Sequence, residues 1–506
     1  MPLFALVILV GLAQTPELPA ARSLLNQGKF HEAVAAYKAI LSQDKSSAPA
    51  HAGLVQALLK LDDVAAADAA SQSALELLPR SPVVHAARGD VYFRRGFIPL
   101  AEREYKTALD ADPKCPRAFL GLGRIYSAES KRRLAKEMLA KAHELDATDG
   151  DALYYWAITL PYPQNTDGLR KHLAEFHDDP EKERREREYL DFITALAGKN
   201  IWVLVSNVSR TQFKLETFLA PAPRAGNQEM QRSLSASGAS MVPRGIGLRV
   251  QLNDSPAKTF LLDTGASGVT IKKKLAEKLG ARRLSEHSLE GIGSSGPVSG
   301  YSAWIDKVVI GELEFHDCIV HVSEKDTMGD ADGLIGTDIF EHYLVTIDFP
   351  SRKLLLDPLP PPSEREDSVP DQAKSFTGVF SFGHLLLIST HAGRNPEANG
   401  LFVIDTGAYS DFISPALARQ AGAVRDSDAN VQGASGRVNN VKTAETTTLE
   451  FAHYSQPSDQ MLTIDLRAQS KALGTEVSGF LGFPTLRKVK VIIDYRDGLV
   501  DFEYKP

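Results

Sequence analysis

Two aspartates lie in the same short motif in the second half of the chain. Asp263 opens one Asp-Thr-Gly-Ala after the apolar run Phe-Leu-Leu, and Asp405 opens another after Phe-Val-Ile. Two carboxylates held about 3 Å apart cannot both ionise cheaply, so such a pair shares one proton and titrates as a unit. A shared-proton pair offers a general base and a general acid together, and hydrolysis of a peptide bond needs both.

The segments around the two motifs repeat one plan, which predicts two related units. Each motif is followed by a helix-like stretch, a Gly-rich turn 28 residues after the aspartate, a Gly-apolar-apolar-Gly segment, and an aspartate 12 residues beyond it. These landmarks stand at 272–280, 291, 333–336 and 348 in the first unit and at 414–422, 433, 479–482 and 494 in the second. The common spacing makes Asp263 and Asp405 equivalent positions of two units.

Short runs of β-branched and apolar residues dominate the chain beyond residue 244, which predicts an all-β fold there. We expect a first lobe at 244–358 and a second at 374–506, joined by a Pro-rich charged connector at 359–373. Residues 201–243 begin with a strand-like run and continue as an Ala-, Pro-, Ser- and Gly-rich stretch, which predicts a strand plus a linker.

These residues resemble the aspartic peptidases. The Asp-Thr-Gly-Ala spelling is similar to the retroviral-type and bacterial retropepsin-like forms, whereas two copies in one chain are similar to the fused, pepsin-like architecture. The resemblance covers about residues 240–505. It implies an all-β bilobal fold with the active site between lobes related by a pseudo-twofold axis.

The resemblance assigns roles to the motif residues. It implies that Asp263 and Asp405 are the catalytic pair that activates a water, with no metal and no organic cofactor. It also implies that the hydroxyls of Thr264 and Thr406 bond across to the opposite lobe.

Four further positions are expected to support the pair. Gly265 and Gly407 let backbone donors approach the carboxylates because they carry no Cβ. Ser267 matches a small hydroxyl found at this position in the family, but the second lobe departs from the pattern with Tyr409.

The Gly-rich turns match flap positions that could close over a substrate. The candidate flap residues are Gly291, Gly293, Gly433 and Ser435. Residues 291–296 also match the G-x-G-x-x-G pattern of a dinucleotide site, but no helix pattern opens after them, which disfavours that function.

The first part of the chain repeats with a period of 34 residues. Alanines recur at this spacing as Ala33, Ala67, Ala101 and Ala135. The pattern resembles the tetratricopeptide repeat, with Ser71 in place of a usual aromatic residue. It implies a stack of helix pairs with a concave face, which we assign to residues 14–200 including a helical cap. This domain is expected to recruit a protein partner or the substrate.

Other features receive plainer interpretations. The charged run at 178–187 is interpreted as a solvated helix face. His316, Cys318 and His321 have poor spacing for metal ligands, and Asp348 and Asp494 are interpreted as turn residues.

Residues 1–13 contain an 11-residue apolar run that is typical of a signal-peptide core, although no basic residue precedes it. We therefore expect a periplasmic or secreted protein without a membrane span after cleavage, with a cytoplasmic location as the alternative. The net charge of −7 disfavours nucleic acid as a partner.

The sequence leaves three functional hypotheses open. The first is a monomeric aspartic endopeptidase with one intrachain pair, acting on a peptide or protein substrate. The second keeps the peptidase but pairs lobes between chains. The third is a non-catalytic peptide-binding adaptor built on the same fold.

Overall fold

The computed structural model describes residues 17–221, 241–289, 291–293, 296–326, 328–362, 375–422, 424–426, 431–433, 436–438, 440–444, 447–458 and 461–504. The expected signal segment 1–13, the candidate Ser435 and residues 363–373 of the expected connector lie outside these ranges. Within the described ranges, no helix combines the length and the apolarity that crossing a membrane requires.

The N-terminal half of the described chain is helical. Its helices are α1 Leu18–Asn26, α2 Phe30–Gln43, α3 Ala48–Lys60, α4 Val64–Leu77, α5 Pro82–Arg94, α6 Ile98–Ala111, α7 Pro116–Ala128, α8 Arg132–Leu145, α9 Gly150–Ala157, α10 Gln164–Glu175 and α11 Pro180–Leu196.

Small residues let these helices pack closely. The four alanines of the 34-residue register are all buried, and a Cβ at Gly121 would lie 2.1 Å from the ring of Tyr105. Ser71 leaves room for a cation instead of an aromatic ring, because its hydroxyl oxygen accepts a hydrogen bond of 2.9 Å from Arg88. The guanidinium of Arg88 in turn lies over the ring of Tyr92. The space left by the missing aromatic residue at position 71 is therefore occupied by side chains of the same domain.

The helical region closes on itself. The backbone N–H of His177 donates to the carbonyl of Asn26 at 2.8 Å, and Gln27 forms a parallel bridge with His177. Arg22 of α1 also pairs with Asp146, which follows α8. The first helix pair thus contacts the segment between α10 and α11.

The rest of the described chain is mainly β-structure. Its strands are β1 Val203–Leu204, β2 Thr211–Lys214, β3 Glu216–Pro221, β4 Met241–Leu252, β5 Lys258–Leu262, β6 Val269–Lys272, β7 Arg282–Leu289, β8 Val298–Ile310, β9 Leu313–Ser323, β10 Gly333–Ile335, β11 Tyr343–Asp348, β12 Lys353–Pro358, β13 Thr377–Gly378, β14 Phe380–Phe382, β15 Leu385–Ala392, β16 Asn399–Ile404, β17 Phe412–Ile413, β18 Val424–Asp426, β19 Gln432–Gly433, β20 Gly436–Arg437, β21 Lys442–Ala444, β22 Thr447–Phe451, β23 Tyr454–Ser458, β24 Leu462–Thr463, β25 Gly479–Leu481, β26 Val489–Asp494 and β27 Leu499–Tyr504. Short helices interrupt them: α12 Lys273–Leu279, a 3₁₀ helix Thr337–Phe340, α13 Pro415–Ala421, α14 Arg467–Leu473 and α15 Phe483–Leu486.

Each lobe has its own large sheet. The first lobe has the order β1-β9-β6-β10-β5-β4-β8-β7, with β3 on β4, and the second has β18-β21-β24-β17-β25-β16-β15-β22-β23, with β14 on β15. Both sheets pair the strand before the motif in parallel with the Gly-apolar-apolar strand, as β5 with β10 and β16 with β25. A Cβ at Gly333 would lie 2.4 Å from the ring of Phe260, and one at Gly479 would lie 2.2 Å from Phe402. The repeated glycine therefore serves the same packing purpose in both lobes.

A third sheet joins the lobes. Its order is β13-β27-β26-β11-β12-β2, with β11 of the first lobe antiparallel to β26 of the second. Residues of both lobes consequently belong to one continuous hydrophobic core.

The stretch expected to be a strand plus linker differs from that expectation in its described part. Val203–Leu204 pairs with β9, and the N–H groups of Trp202 and Val205 also donate to it, whereas β2 pairs with β12 and β3 pairs with β4. Residues 203–221 therefore add strands to the lobe sheets. The two cysteines, Cys115 and Cys318, are both free and buried.

Candidate active site

The two motif aspartates occupy matching positions at strand ends. Asp263 follows β5, and its backbone N–H donates to the carbonyl of Ile335 at 2.9 Å. Asp405 follows β16 and donates in the same way to Leu481 at 3.0 Å. The parallel strand pair of each lobe thus fixes where its aspartate leaves the sheet.

The structure brings the two carboxyl groups together. The side chains of Asp263 and Asp405 share a hydrogen bond. A Cβ at Gly265 would lie 2.9 Å from Cγ of Asp405, and a Cβ at Gly407 would lie 2.4 Å from Cγ of Asp263. Each glycine therefore leaves space for the carboxyl group of the opposite lobe.

Backbone donors also hold each carboxyl group. The N–H of Gly265 donates to Oδ1 of Asp263 at 2.8 Å. The N–H groups of Gly407 and Ala408 both donate to Oδ1 of Asp405 at 2.9 Å. Both motif glycines therefore support the pair by backbone donation as well as by the space they leave.

The two motif threonines form a reciprocal network between the lobes. Oγ1 of Thr264 donates to the carbonyl of Ile404 at 2.7 Å and accepts from the N–H of Thr406 at 2.9 Å. Oγ1 of Thr406 donates to the carbonyl of Leu262 at 2.9 Å and accepts from the N–H of Thr264 at 3.0 Å. Both side chains are almost fully buried. Four hydrogen bonds thus join the two motif loops.

The surroundings of the two carboxyl groups raise their pKa values to different extents. Burial, the negative charge of Asp263 and the hydrogen bond to it raise the pKa of Asp405 well above the usual carboxyl range. Burial also raises the pKa of Asp263, but the N–H of Gly265, the hydrogen bond with Asp405 and the nearby His384 oppose that rise. The arrangement favours a proton on Asp405 and a negative charge on Asp263.

The motif loop of the first lobe is anchored by an aspartate that the sequence pattern did not single out. Oδ2 of Asp338 accepts a hydrogen bond of 2.8 Å from Oγ of Ser267, and Oδ1 accepts one of 2.9 Å from the N–H of Gly268. Asp338 lies in the 3₁₀ helix two residues after Gly336. Ser267 therefore supports the loop through this carboxylate.

In the second lobe the anchoring aspartate is Asp411, which lies in the motif loop itself. Oδ1 of Asp411 accepts from the N–H of Gly482 at 2.8 Å, and Oδ2 accepts from the hydroxyls of Ser458 and Thr485, each at 2.8 Å. The position that matches Asp338 is Pro484, which offers no carboxylate. In both lobes an aspartate thus links the motif loop to the residues around the Gly-apolar-apolar-Gly segment. In the first lobe this aspartate follows that segment, whereas in the second lobe it lies in the motif loop.

This exchange of anchors explains how the second lobe accommodates Tyr409. Without a carboxylate at Pro484, a small hydroxyl at residue 409 would lack the partner that Ser267 has. The ring of Tyr409 instead packs edge-on against Phe412, with centroids 5.9 Å apart, and lies 4.9 Å from the guanidinium carbon of Arg244.

Asp411→Ala should therefore destabilise the protein strongly. The change removes the acceptor for three buried donors, and we expect the free energy of unfolding to fall by about 3–5 kcal/mol. Urea denaturation would measure this loss. The exposed Asp426→Ala is the control, with an expected change within about 0.5 kcal/mol. Equal stabilities for the two variants would contradict the anchoring role.

The predicted flap residues lie where two hairpins meet. Hairpin 1 is formed by β7 and β8, with Gly291 and Gly293 in its turn, and hairpin 2 by β19 and β20, with Gly433 at its end. A Cβ at Gly433 would lie 2.2 Å from the carbonyl oxygen of Ile292. Ile292 packs against an apolar cluster that includes Val431, Val438 and Val441 of the second lobe. The tip of hairpin 1 thus rests on hairpin 2 and the second lobe.

His384 lies beside the pair and two further histidines lie near His384, and the sequence pattern marked only one of the three. His384 bonds through Nε2 to the carbonyl of Gly265 at 3.0 Å. The rings of His287 and His321 are 4.8 Å apart, and Nδ1 of each lies 3.4 Å from Oγ of Ser302. Burial, followed by the neighbouring histidines, lowers the pKa of His321 to about 3. His384 and His287 belong to no shared spacing between the lobes, so no sequence signal marked them.

The other residues singled out in the sequence have structural surroundings. Asp348 accepts from the N–H of Ser351 at 2.9 Å and Asp494 accepts from Asp497 at 3.1 Å, so the prediction of turn residues is confirmed. His316 pairs with Glu314. Across the described ranges, no group of three His, Cys, Asp or Glu side chains is arranged to hold a metal ion.

Comparisons with known proteins agree with this architecture. Residues 248–339 match a family model described as aspartyl protease, which includes Asp263 and ends before Asp405. Residues 24–91 and 86–152 match models described as tetratricopeptide repeat. These matches confirm the prediction of repeats followed by a protease-like domain.

No curated protein matches the chain. Among solved structures, the chain is similar to the aspartic proteinase from Irpex lacteus, at 13% identity, over 52% of this chain and 94% of that one, with a TM-score of 0.36.

Proposed function

We propose, on the premise that this chain joins tetratricopeptide repeats to an aspartyl protease domain, that it is an aspartic endopeptidase. In this proposal Asp263 and Asp405 form one catalytic pair within a single chain. The observation that carries it is the hydrogen-bonded, buried pair of carboxyl groups held by the reciprocal threonine network.

The acid and base roles follow from the two environments. Asp263, whose pKa is raised less than that of Asp405, is the ionised member of the pair and accepts a proton from a water placed between the carboxyl groups. Asp405, which favours the protonated form, hydrogen-bonds the substrate carbonyl as negative charge develops on its oxygen. After proton exchange, the pair protonates the leaving nitrogen and returns to its starting state. The residues in this chain need to supply only proton transfers and orientation.

The presence of Tyr409 does not argue against an intact, undistorted carboxyl pair. Both backbone donors of the second motif reach Asp405 although Tyr409 follows directly. The alternative of a peptide-binding adaptor therefore draws no particular support from this residue. Pairing of the lobes within one chain is favoured because the connector at 359–373 is short and keeps the second lobe at a high local concentration.

The test is cleavage of a peptide library by the full chain from about pH 3 to about pH 8, with and without a pepstatin-type inhibitor. We expect cleavage that the inhibitor abolishes and that falls when the pH rises above the raised pKa of Asp405, because the pair then loses its shared proton. It should also fall at the acid end, where Asp263 becomes protonated. Peptides that bind without being cut at any pH would favour the adaptor instead.

The repeats suggest interaction with another protein, and we propose that they bind a partner or the substrate. We also propose export of a monomeric protein through the segment 1–13. Cell fractionation, together with sedimentation of the purified protein, would test the location and the oligomeric state.

A further inference from the structure

A cavity of about 440 Å³ lies between the repeats and the second lobe. Its walls come from the helical repeats, from α11 through Lys182 and Tyr189, and from α14 with the residue that follows it, through Lys471 and Gly474. This volume falls within the range of cavities that hold small ligands. The cavity is separate from the aspartate pair and has no role in the proposed reaction.

Most cations in the cavity wall are already neutralised within the chain. Each of the following lies within 4.0 Å of a carboxylate: Arg22, Lys60, Arg94, Arg117, Lys182 and Lys471. Lys60, for example, contacts Asp151 at 2.9 Å and Asp178 at 2.7 Å. These ion pairs neutralise the positive charges of the six side chains.

Arg124 is different. Its Nε is enclosed and has no hydrogen-bond partner, and its guanidinium forms no ion pair with the carboxylates of the described chain. The guanidinium carbon lies 4.0 Å from the ring centre of Phe93 and 5.1 Å from that of Tyr155. The two rings flank the planar cation, and its enclosed Nε–H group stays unsatisfied. An enclosed N–H group without an acceptor is costly, and a carboxylate or phosphate bound at the guanidinium would offset that cost.

Two walls of the cavity also hold hairpin 1. Glu188 of α11 accepts hydrogen bonds from the backbone N–H of Ser288 at 3.1 Å and from its hydroxyl at 3.0 Å. Gln469 of α14 donates to the carbonyl of Gly291 at 3.2 Å. An ion pair of 3.6 Å between Lys471 and Asp179 connects the two walls. The charged run at 178–187, expected to be only a solvated face, therefore begins the helix that grips hairpin 1.

We propose that this cavity binds an anionic ligand through Arg124 and that α11 and α14 transmit its occupancy to hairpin 1. The ligand is a small molecule or chain end that presents a carboxylate or a phosphate. Because it stabilises both walls, its binding tightens their hold on hairpin 1.

The test uses calorimetric titration of the full chain carrying Asp263→Asn with inorganic phosphate and, separately, with succinate. We expect at least one probe to bind, and the preferred probe distinguishes a phosphate ligand from a carboxylate ligand. Arg124→Gln should weaken that binding by about tenfold or more, whereas Arg124→Lys, which keeps the charge, should lose less. The exposed Arg103→Gln on α6 is the matched control and should bind as the parent does. If neither probe binds, or if Arg124→Gln binds equally well, the site does not exist.

Hydrogen–deuterium exchange of β7 tests the coupling. The bound probe should slow exchange in this strand. Glu188→Ala should leave the affinity unchanged and remove the slowing, whereas Asp191→Ala, an exposed carboxylate change on the same helix, should keep it. Binding without any effect on β7 would overturn the coupling. Since neither measurement depends on cleavage, both remain decisive if the proposed peptidase activity fails.

Discussion

Asp263→Asn and Asp405→Asn should each reduce peptide cleavage by about 10²- to 10⁴-fold, because either change removes one of the two groups that move protons. The amide keeps the size of the carboxyl group and cannot exchange protons with water or substrate. Initial rates with a peptide that the parent protein cleaves would measure the effect. Asp494→Asn is the matched control, because Asp494 serves a turn in the second lobe. If either motif variant retains full activity, the shared pair is the wrong mechanism.

The same variants separate activity from folding. The pKa of Asp405 is raised in the folded protein, so its contribution to stability is present below the unfolded pKa and is lost as the pH rises through the folded pKa. Asp405→Asn cannot develop the second negative charge in the buried pair. We therefore expect this variant to unfold at a higher temperature than the parent protein at neutral pH, with the difference vanishing in acid. A lower unfolding temperature at neutral pH would contradict the assigned electrostatics.

Thr406→Val should cause the second large effect. The change keeps the shape of the side chain, but it leaves the carbonyl of Leu262 and the N–H of Thr264 without their bonds in a buried setting. Each unsatisfied group costs about 1–3 kcal/mol, so we expect the free energy of unfolding to fall by about 2–5 kcal/mol. Urea denaturation measures the loss.

The control for this change is Thr390→Val in β15. Thr390 is equally buried, but its hydroxyl makes one hydrogen bond of 3.3 Å, to the nearby carbonyl of Ile388. It should cost only about 1 kcal/mol. Adding Thr264→Val to Thr406→Val should cost less than the sum of the single changes, because the two side chains bond to overlapping partners. Additive losses would show that the two threonines act independently.

The architecture is predictable where the chain repeats itself. The 34-residue register of alanines indicates the helix pairs, and the duplicated landmarks identify Asp263 and Asp405 as equivalent positions. The duplicated landmarks keep a glycine at 333 and at 479 for a physical reason. Each of these glycines packs against the phenylalanine three residues before the motif aspartate. Repeated packing constraints leave repeated residue types.

Features that occur in only one lobe are not predictable in this way. Asp338 and Asp411 have no counterparts in each other's lobe, although a comparison of residues 338 and 484 exposes the difference. His384 reaches Gly265 from a hairpin turn, and Glu188 reaches Ser288 across 100 residues. The pairing of β3 with β4 is hidden because β3 runs into residues 219–243, whose composition is typical of loops. These contacts depend on tertiary approach, which a local pattern does not encode.

The six-stranded sheet bears on any attempt to produce the lobes separately. Its central pair consists of β11 from the first lobe and β26 from the second, so cutting the chain at the connector would turn two interior strands into open edges. Both carry apolar residues such as Ile347 and Val491, and unpaired apolar edges promote aggregation. Isolated lobes should therefore precipitate or recombine when mixed, and the two halves should behave as fragments of one folding unit.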